Sequence, residues 1–419
     1  MHQIPFYKPS IGEPEINEVV DCLRSGWLTT GPKTKQFEAE FASYIRQTHA
    51  VALNSCTAAL HLALEAIGLK AGQTVVVPTM TFAATAEVVR YFNATPLFVD
   101  CREADLNLDV ADAAERIDAA RGQGEDVAAI IPVHYGGQIG DVAGVVALAR
   151  RHDLKIIEDA AHCCPAYYRD DAASPWKSVG TEAEVSCFSF YANKTITTGE
   201  GGMACTESQE IADRMRIMSL HGISRDAWKR YTAEGSWYYE IVAPGFKYNL
   251  TDIAAAIGLH QVRKADQLHK KRAQWARVYS ELLSDVDELI LPQEMPDRIH
   301  SWHLYSVRVQ VDRLSVDRAE VISEMKRAGI GTSVHWTPLH MHPYYRETFG
   351  CQPSDYFCAA GIYPELVSLP LYPDLTEEDV VYVGRTLKEI IARSRVTISS
   401  ASPRCCNRDS NTEQPVGHR

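Results

Sequence analysis

The chain has 419 residues, a net charge of −12, 46% hydrophobic and 23% charged residues, which suits two or three domains with sizeable cores. The negative balance argues against a nucleic-acid surface and against attachment to an anionic membrane, while leaving room for a local basic pocket that takes a phosphate. The opening MHQIPFYKPSIGEPEI has no basic stretch leading into an apolar core, no apolar run approaches a membrane span, and the 11 cysteines form no CxxC repeats. Together these point to reduced thiols in a cytoplasmic protein.

In chain order, Ile16, Val19, Val20 and Leu23 recur at helical spacing and predict a helix over Glu13 to Ser25. Ser25-Gly26 stops it, and Trp27-Leu28-Thr29-Thr30-Gly31-Pro32 reads as a loop before a second helix from Pro32 or Thr34 to about Ile45. Val51 to Asn54 reads as a short strand, and the hydroxyls of Ser55-Cys56-Thr57 suit the start of a helix through Ala66. Apolar runs at Val75–Val77, Pro96–Val99, Val127–Val133 and Lys155–Ile157 then alternate with helical stretches near Phe82–Phe92, Val110–Ala120 and Val142–His152. That rhythm predicts an α/β domain with a buried parallel sheet and helices on both faces.

Helices near Glu207–Met218 and Asp252–Leu283 follow, the second one long enough to lead from a large domain into a smaller one. A strand at Ser306–Val311, a helix at Ser315–Ala328, a strand at Gly331–Trp336 and a helix at Thr376–Ala392 lack the crossover rhythm and suggest an α+β unit. The expected division is 1–265, 266–395 and a polar, disordered tail over 396–419.

The chemistry centres on Ser189 to Met203, SFYANKTITTGEGGM, where a strand-like run delivers Lys194 into a loop of Thr and Gly. If its amine is desolvated there, its pKa falls from about 10.4 and it becomes a nucleophile toward carbonyls. Three features complement it. Asp159 ends a strand, where open α/β sheets bind ligands and where a carboxylate can keep a pyridine nitrogen protonated. Ser55-Cys56-Thr57-Ala58 offers backbone N–H groups to a phosphate at a helix start. Phe82, just past another strand, can stack on a flat heterocycle. Each residue has a plainer alternative: a surface lysine, a helix cap, an ordinary capped helix, a core aromatic. Together they describe a pyridoxal phosphate site.

SFYANKTITTGEGGM resembles the Schiff-base lysine motif of the nucleotide-sugar aminotransferases of the DegT/StrS family. The likeness extends to Trp27–Pro32, Pro78–Thr85, Glu158-Asp159-Ala160-Ala161-His162, His221-Gly222, Pro244–Asp252 and His335-Trp336-Thr337-Pro338-Leu339-His340. It implies the aspartate-aminotransferase fold (fold type I of pyridoxal phosphate enzymes), with a mostly parallel seven-stranded sheet in the large domain and a smaller C-terminal domain. It also implies a homodimer with shared active sites. By the resemblance, Lys194 forms the Schiff base, Asp159 pairs with the pyridine nitrogen, and His162 contacts the ring oxygen. Thr57, Ala58 and Ser189 hold the phosphate with Asn249 of the neighbouring subunit, and Phe82 stacks on the ring. Trp27, Thr29 and His335 are candidate sugar contacts. The implied reaction moves an amino group from L-glutamate to a nucleotide-linked keto-sugar, with Tyr248–Asp252 closer to C4-aminating members.

A dehydratase variant of the family, a non-catalytic regulator on the same fold and a nicotinamide dehydrogenase are the competing readings. The first has His at the Schiff-base position, the second a broken lysine–aspartate pair, and the third needs GxGxxG after a first strand. His162-Cys163-Cys164 and His340-Met341-His342 have no matching second half for a metal site and read as packing.

Overall fold

The computed structural model describes residues 3–224 and 239–396; the expected tail therefore lies outside the described residues except for Val396. A seven-stranded sheet runs in the order β1 (His49–Leu53), β9 (Gly202–Thr206), β8 (Val185–Ser189), β5 (Lys155–Asp159), β4 (Val127–Ile130), β2 (Thr74–Pro78) and β3 (Thr95–Val99). The two-residue strands β6 (Tyr167–Tyr168) and β7 (Lys177–Ser178) lie outside it and pair with β11 (Arg298–Ile299). Strands β8, β5, β4, β2 and β3 are mutually parallel, and β9 runs against both its neighbours. The period of two in a strand sorts their side chains. Val75 and Val77 join one core with Leu60 and Leu64 of helix α3 (Cys56–Ala66), whereas Val76 and Ile130 join another with Ile117 of α5 (Val110–Gly122) and Leu148 of α6 (Val142–His152). With both faces covered, the sheet is dry on each side, as its unbroken apolar runs require.

The reversed strand β9 is absent from the sequence expectations. It returns from β8 through the lysine loop, so GGMACT pairs alongside the run that precedes it. The expected single helix over Asp252–Leu283 is two helices, α8 (Asp252–Arg263) and α9 (Ala265–Leu283), broken at Lys264. The reason is a change of partner: Gly258 of α8 meets the Phe37 ring of α2 (Pro32–Ile45), while Gly384 of the last helix, α13 (Glu377–Ser394), meets Leu282 of α9.

Gly331–Trp336 is not a strand. The ladder position beside β12 (Tyr305–Val309) is taken by β13 (Leu366–Leu369), leaving one bridge from Ser333 to Ser368, while Val334 and Trp336 pack toward the large sheet. Two crossings tie the halves together. Ile4 bonds with Gly329 and Gly331 and joins the C-terminal core, and Leu339, Tyr345, Tyr356 and Ile362 join the core of the large sheet.

Asp252, 1% exposed, links the N-terminal helices to α8. Its Oδ1 accepts from the Gly31 amide (2.7 Å), the Thr34 amide (2.9 Å) and the Thr34 hydroxyl (2.6 Å), and Oδ2 accepts from the Lys33 amide (3.1 Å). Removing a buried charged acceptor strands its donors. Asp252→Ala is therefore expected to cost about 3 kcal/mol, measured as a lower urea midpoint at unchanged slope; a loss below about 1 kcal/mol would contradict the assignment.

Candidate active site

Strand β8 ends at Ser189, opposite Gly202, and the loop between them is closed by its own hydroxyls. Thr197 donates to the Phe190 carbonyl (2.9 Å), Thr198 donates to the Glu200 carbonyl (2.7 Å), and the Lys194 amide donates to the Tyr191 carbonyl (2.9 Å). This fixes the backbone of Lys194 and turns its side chain inward. Desolvation lowers the amine pKa to about 8, opposed by the nearby Cys56 and Asp159 groups. An amine near 8 is partly free base at neutral pH, which a nucleophilic lysine requires.

Asp159 stands at the end of β5 and is 6% exposed. Burial raises its pKa, while the Thr85 hydroxyl on Oδ2 (2.8 Å), the Ala161 amide on Oδ1 (3.1 Å) and the charge of Lys194 pull it back. Thr85, in α4 (Ala84–Arg90), is an orienting residue that sequence reasoning missed, although it lies within the quoted Pro78–Thr85 stretch.

The third part is a cradle at the start of α3. Ser55 caps the helix by accepting from the Ala58 amide (3.0 Å). The Ala58 N–H is given to Ser55 in this cap. The amides of Cys56 and Thr57, in the first turn, have no acceptor earlier in the helix. Gly202 makes the cradle possible: a Cβ there would lie 2.3 Å from the Ser55 carbonyl carbon and 2.5 Å from the Cys56 nitrogen. The close approach explains the glycine of the lysine motif, and it puts Ser189, paired with Gly202, beside the same turn.

His162 is 4% exposed, and burial holds its pKa well below the ordinary value, with Lys194 adding to the effect. Its Nδ1 accepts from the Gly136 amide (3.2 Å), so the neutral ring carries its proton on Nε2 and presents a donor there. The ring stacks on Trp336 (5.0 Å) and lies 4.1 Å from the ring of His303. His335 joins through Trp336 (5.6 Å), with Nδ1 against the Ser368 hydroxyl (2.9 Å), and burial lowers its pKa to about 4. His303 and Trp336 were not singled out from sequence; the aromatic and histidine-rich stretch Ser301–Tyr305 before β12 is the signal that marks the former.

Phe82 follows β2, three residues before Thr85, and its ring is 59% exposed and so not in the core. The remaining candidates gather around Thr30, with Trp27 and Thr29 exposed and Asn249 half-buried and bridged to Leu53, two residues before the Ser55 cap. The Trp27 indole donates to the Thr30 carbonyl (3.3 Å), the Thr29 carbonyl accepts from the Asp252 amide (3.2 Å), and Asn249 donates to the Thr30 hydroxyl (2.7 Å) while accepting from Lys247. No hydrogen bond among the described residues joins Trp27, Thr29 or the Asn249 side chain to Lys194 or Asp159.

The pattern of the DegT/DnrJ/EryC1/StrS aminotransferase family matches residues 9–388. A Methanocaldococcus jannaschii protein, MJ1066, is 46% identical over 392 residues, covering 94% of this chain and 98% of its own. The Bacillus subtilis spore coat polysaccharide biosynthesis protein SpsC is 42% identical over 391 residues, 93% of this chain and 97% of its own. Among solved structures, Spr1654 of Streptococcus pneumoniae, assigned as a sugar aminotransferase, superposes in its pyridoxal phosphate form with a TM-score of 0.84 at 31% identity, covering 94% of this chain and 99% of that one. A pyridoxamine phosphate form of the same protein matches equally, with a TM-score of 0.84. The cofactor is pyridoxal 5′-phosphate, and the donor set fits it: a desolvated amine, a buried carboxylate and a glycine-backed helix start.

Two expectations follow. Gly202→Ala forces the Ser55–Cys56 turn outward and is expected to weaken cofactor binding at least tenfold in an absorbance titration; unchanged affinity would detach the turn from the phosphate. In cofactor-free protein, the rate at which Lys194 captures pyridoxal phosphate is expected to rise with pH around a midpoint near 8, because the amine must first lose its proton. A midpoint at the ordinary lysine value of 10.5 would show an amine still in water.

Proposed function

The chain belongs to the DegT/DnrJ/EryC1/StrS aminotransferase family, and on that premise we propose that it transfers the amino group of L-glutamate to C4 of a nucleotide-linked 4-keto-sugar, with UDP or dTDP as the nucleotide. The observation that carries the reading is the placement of the buried Asp159 at the end of β5, next to β8 and the loop that carries Lys194, beside the glycine-backed Ser55–Cys56 turn. When bound, pyridoxal phosphate supplies an aldehyde that exchanges amines and a protonated ring that withdraws electrons from the carbon being deprotonated.

The chain's own residues do the rest. With the cofactor bound, Lys194 Nζ would take the proton from the donor's α-carbon and return it across the intervening nitrogen, two atoms away, acting as general base and then general acid. Asp159, fixed by Thr85 and Ala161, keeps the ring nitrogen protonated. His162, neutral with its proton on Nε2, donates to the ring oxygen. Thr57, Ala58 and Ser189 hold the phosphate with the Cys56 amide, Phe82 stacks on the ring, and His335 reaches the sugar. Asn249 acts in the site of a second subunit, as belongs to a homodimer with shared sites, and Trp27 and Thr29 contact the sugar. The products serve amino-sugar polysaccharides or glycosides, consistent with the name of SpsC. No described helix is long and apolar enough to cross a membrane, and a cytoplasmic location belongs to this reading.

The test is purified protein with L-glutamate and a panel of UDP-, dTDP- and GDP-linked keto-sugars, following 2-oxoglutarate. Turnover is expected with 4-keto and not 3-keto sugars, and Lys194→Ala should lower it by roughly 10⁴-fold while removing the bound cofactor's absorbance. Preference for a 3-keto sugar would overturn the position of amination; full turnover in Lys194→Ala would overturn the mechanism.

A further inference from the structure

Away from the active site, two thiols from distant parts of the chain meet. Cys101 follows β3, and Cys358 lies in the first turn of α12 (Phe357–Ile362). They are 257 positions apart, yet the Cys101 thiol donates to the Cys358 sulfur with the two Sγ atoms 4.0 Å from each other. This is the one thiol–thiol hydrogen bond among the described residues, and all nine described cysteines are free.

The meeting is fixed by the backbone. Asp100 Oδ1 accepts from the amides of Cys101 (2.7 Å) and Ala359 (2.9 Å), and Oδ2 accepts from the amide of Cys358 (2.8 Å). One carboxylate therefore holds both chain segments in register. Arg116 adds a second tie, its guanidinium lying over the Tyr356 ring at 4.6 Å. Cys101 is 2% exposed and Cys358 is half-buried, so reagents in solution reach one sulfur first.

We propose that Cys101 and Cys358 form a reversible disulfide, a redox modification site that staples the segment around α12 to the end of β3. The oxidant is a low-molecular-weight disulfide. Cys358, as thiolate, attacks one sulfur of that disulfide; its S–S bond breaks, one small thiolate leaves with the electron pair, and a mixed disulfide stands on Cys358. Cys101 then loses its proton to water and attacks the Cys358 sulfur, expelling the second small thiolate. Two protein thiols are oxidised, and one external disulfide is reduced to two thiols.

The order follows from the surroundings. The hydrogen bond from Cys101 favours the Cys358 thiolate, as does Arg308, against partial burial and the charges of Asp100 and Glu103, whereas the same bond and deeper burial disfavour ionisation of Cys101. A divalent metal is the competing use of Asp100, Cys101 and Cys358, whose ligand atoms lie within 4.8 Å of one another. The three amides on Asp100 favour the dithiol chemistry, because they take three of the carboxylate's roughly four acceptor sites and fix it to the backbone.

The staple acts on a segment whose start also packs on the sheet. The Leu339 amide donates to the Thr79 carbonyl (2.9 Å), and the Thr79 hydroxyl lies 2.7 Å from His340 Nδ1. Closing a loop of this length removes much unfolded-state freedom, so the oxidised protein is expected to melt several degrees higher. This holds whichever sugar the enzyme uses.

The experiment treats the full-length, cofactor-loaded protein with oxidised glutathione, alkylates the remaining thiols and maps peptides by mass spectrometry. A Cys101–Cys358 cross-link that dithiothreitol removes, with a higher melting temperature while oxidised, is the expected result. Cys101→Ser should trap one glutathione on Cys358, Cys358→Ser should give neither cross-link nor adduct, and Cys351→Ser should behave like wild type. Both thiols staying open to alkylation after oxidant, a cross-link through Cys351, or stoichiometric zinc that Cys358→Ser abolishes would each overturn the proposal.

Discussion

The site depends on withholding water from an amine and a carboxylate at the same time. Lys194 and Asp159 each meet a desolvation penalty that acts against their charges, and each is partly rescued by the other. In open water the amine would be an inert ammonium; with a closer carboxylate it would be locked as one half of an ion pair. The intermediate arrangement leaves a base that can pick up and release a proton near neutral pH. Much of the large domain serves it: the sheet delivers Asp159 and Ser189 at neighbouring strand ends, and α3 delivers the Ser55–Thr57 turn.

How much of this was legible depended on how far each signal reaches along the chain. Glu13–Ser25, Cys56–Ala66 and Val142–His152 read correctly because helical period and cap lie within the segment itself, as with Ser55 and Asp141. The apolar runs of the parallel strands are likewise local, although in Val127–Val133 the continuous strand ends at Ile130 and Val133 adds only an isolated bridge to Asp159. The reversed direction of β9 and the break at Lys264 were not visible, since both are decided by neighbours remote in sequence. Gly331–Trp336 has strand-like residues, but it pairs with the edge strand β13 only at Ser333 before Val334 and Trp336 turn to the core of the large sheet. The motif residues Lys194, Asp159 and His162 were legible through resemblance. Thr85, His303 and the backbone contact at Gly202 needed coordinates, because each acts on a residue far away in the chain.

The two cores are not separate bodies joined by one linker. The N-terminal segment brings Ile4 to the C-terminal core, and the stretch from Leu339 to Ile362 returns from the smaller unit to the large sheet. His335 and Trp336 sit where that return begins, which is why a residue of the C-terminal half stacks on His162. Loss of either crossing therefore disturbs the pocket as well as the fold.

The charge pattern around Lys194 supports the same account from another side. His162, His303 and His335 all have lowered pKa values, and Lys194 contributes to each shift alongside burial. Three neutral imidazoles beside one titrating amine leave Asp159 as the site's anionic partner, since burial keeps the Cys56 thiol protonated. A neutral His162 with Nδ1 committed to Gly136 can only donate from Nε2, and a donor is what an oxygen on the cofactor ring needs. Were the imidazole charged, Nδ1 would carry a proton against the Gly136 amide and the ring would have to turn. The tautomer of His162, and with it the polarity of the site, is thus set by one backbone N–H.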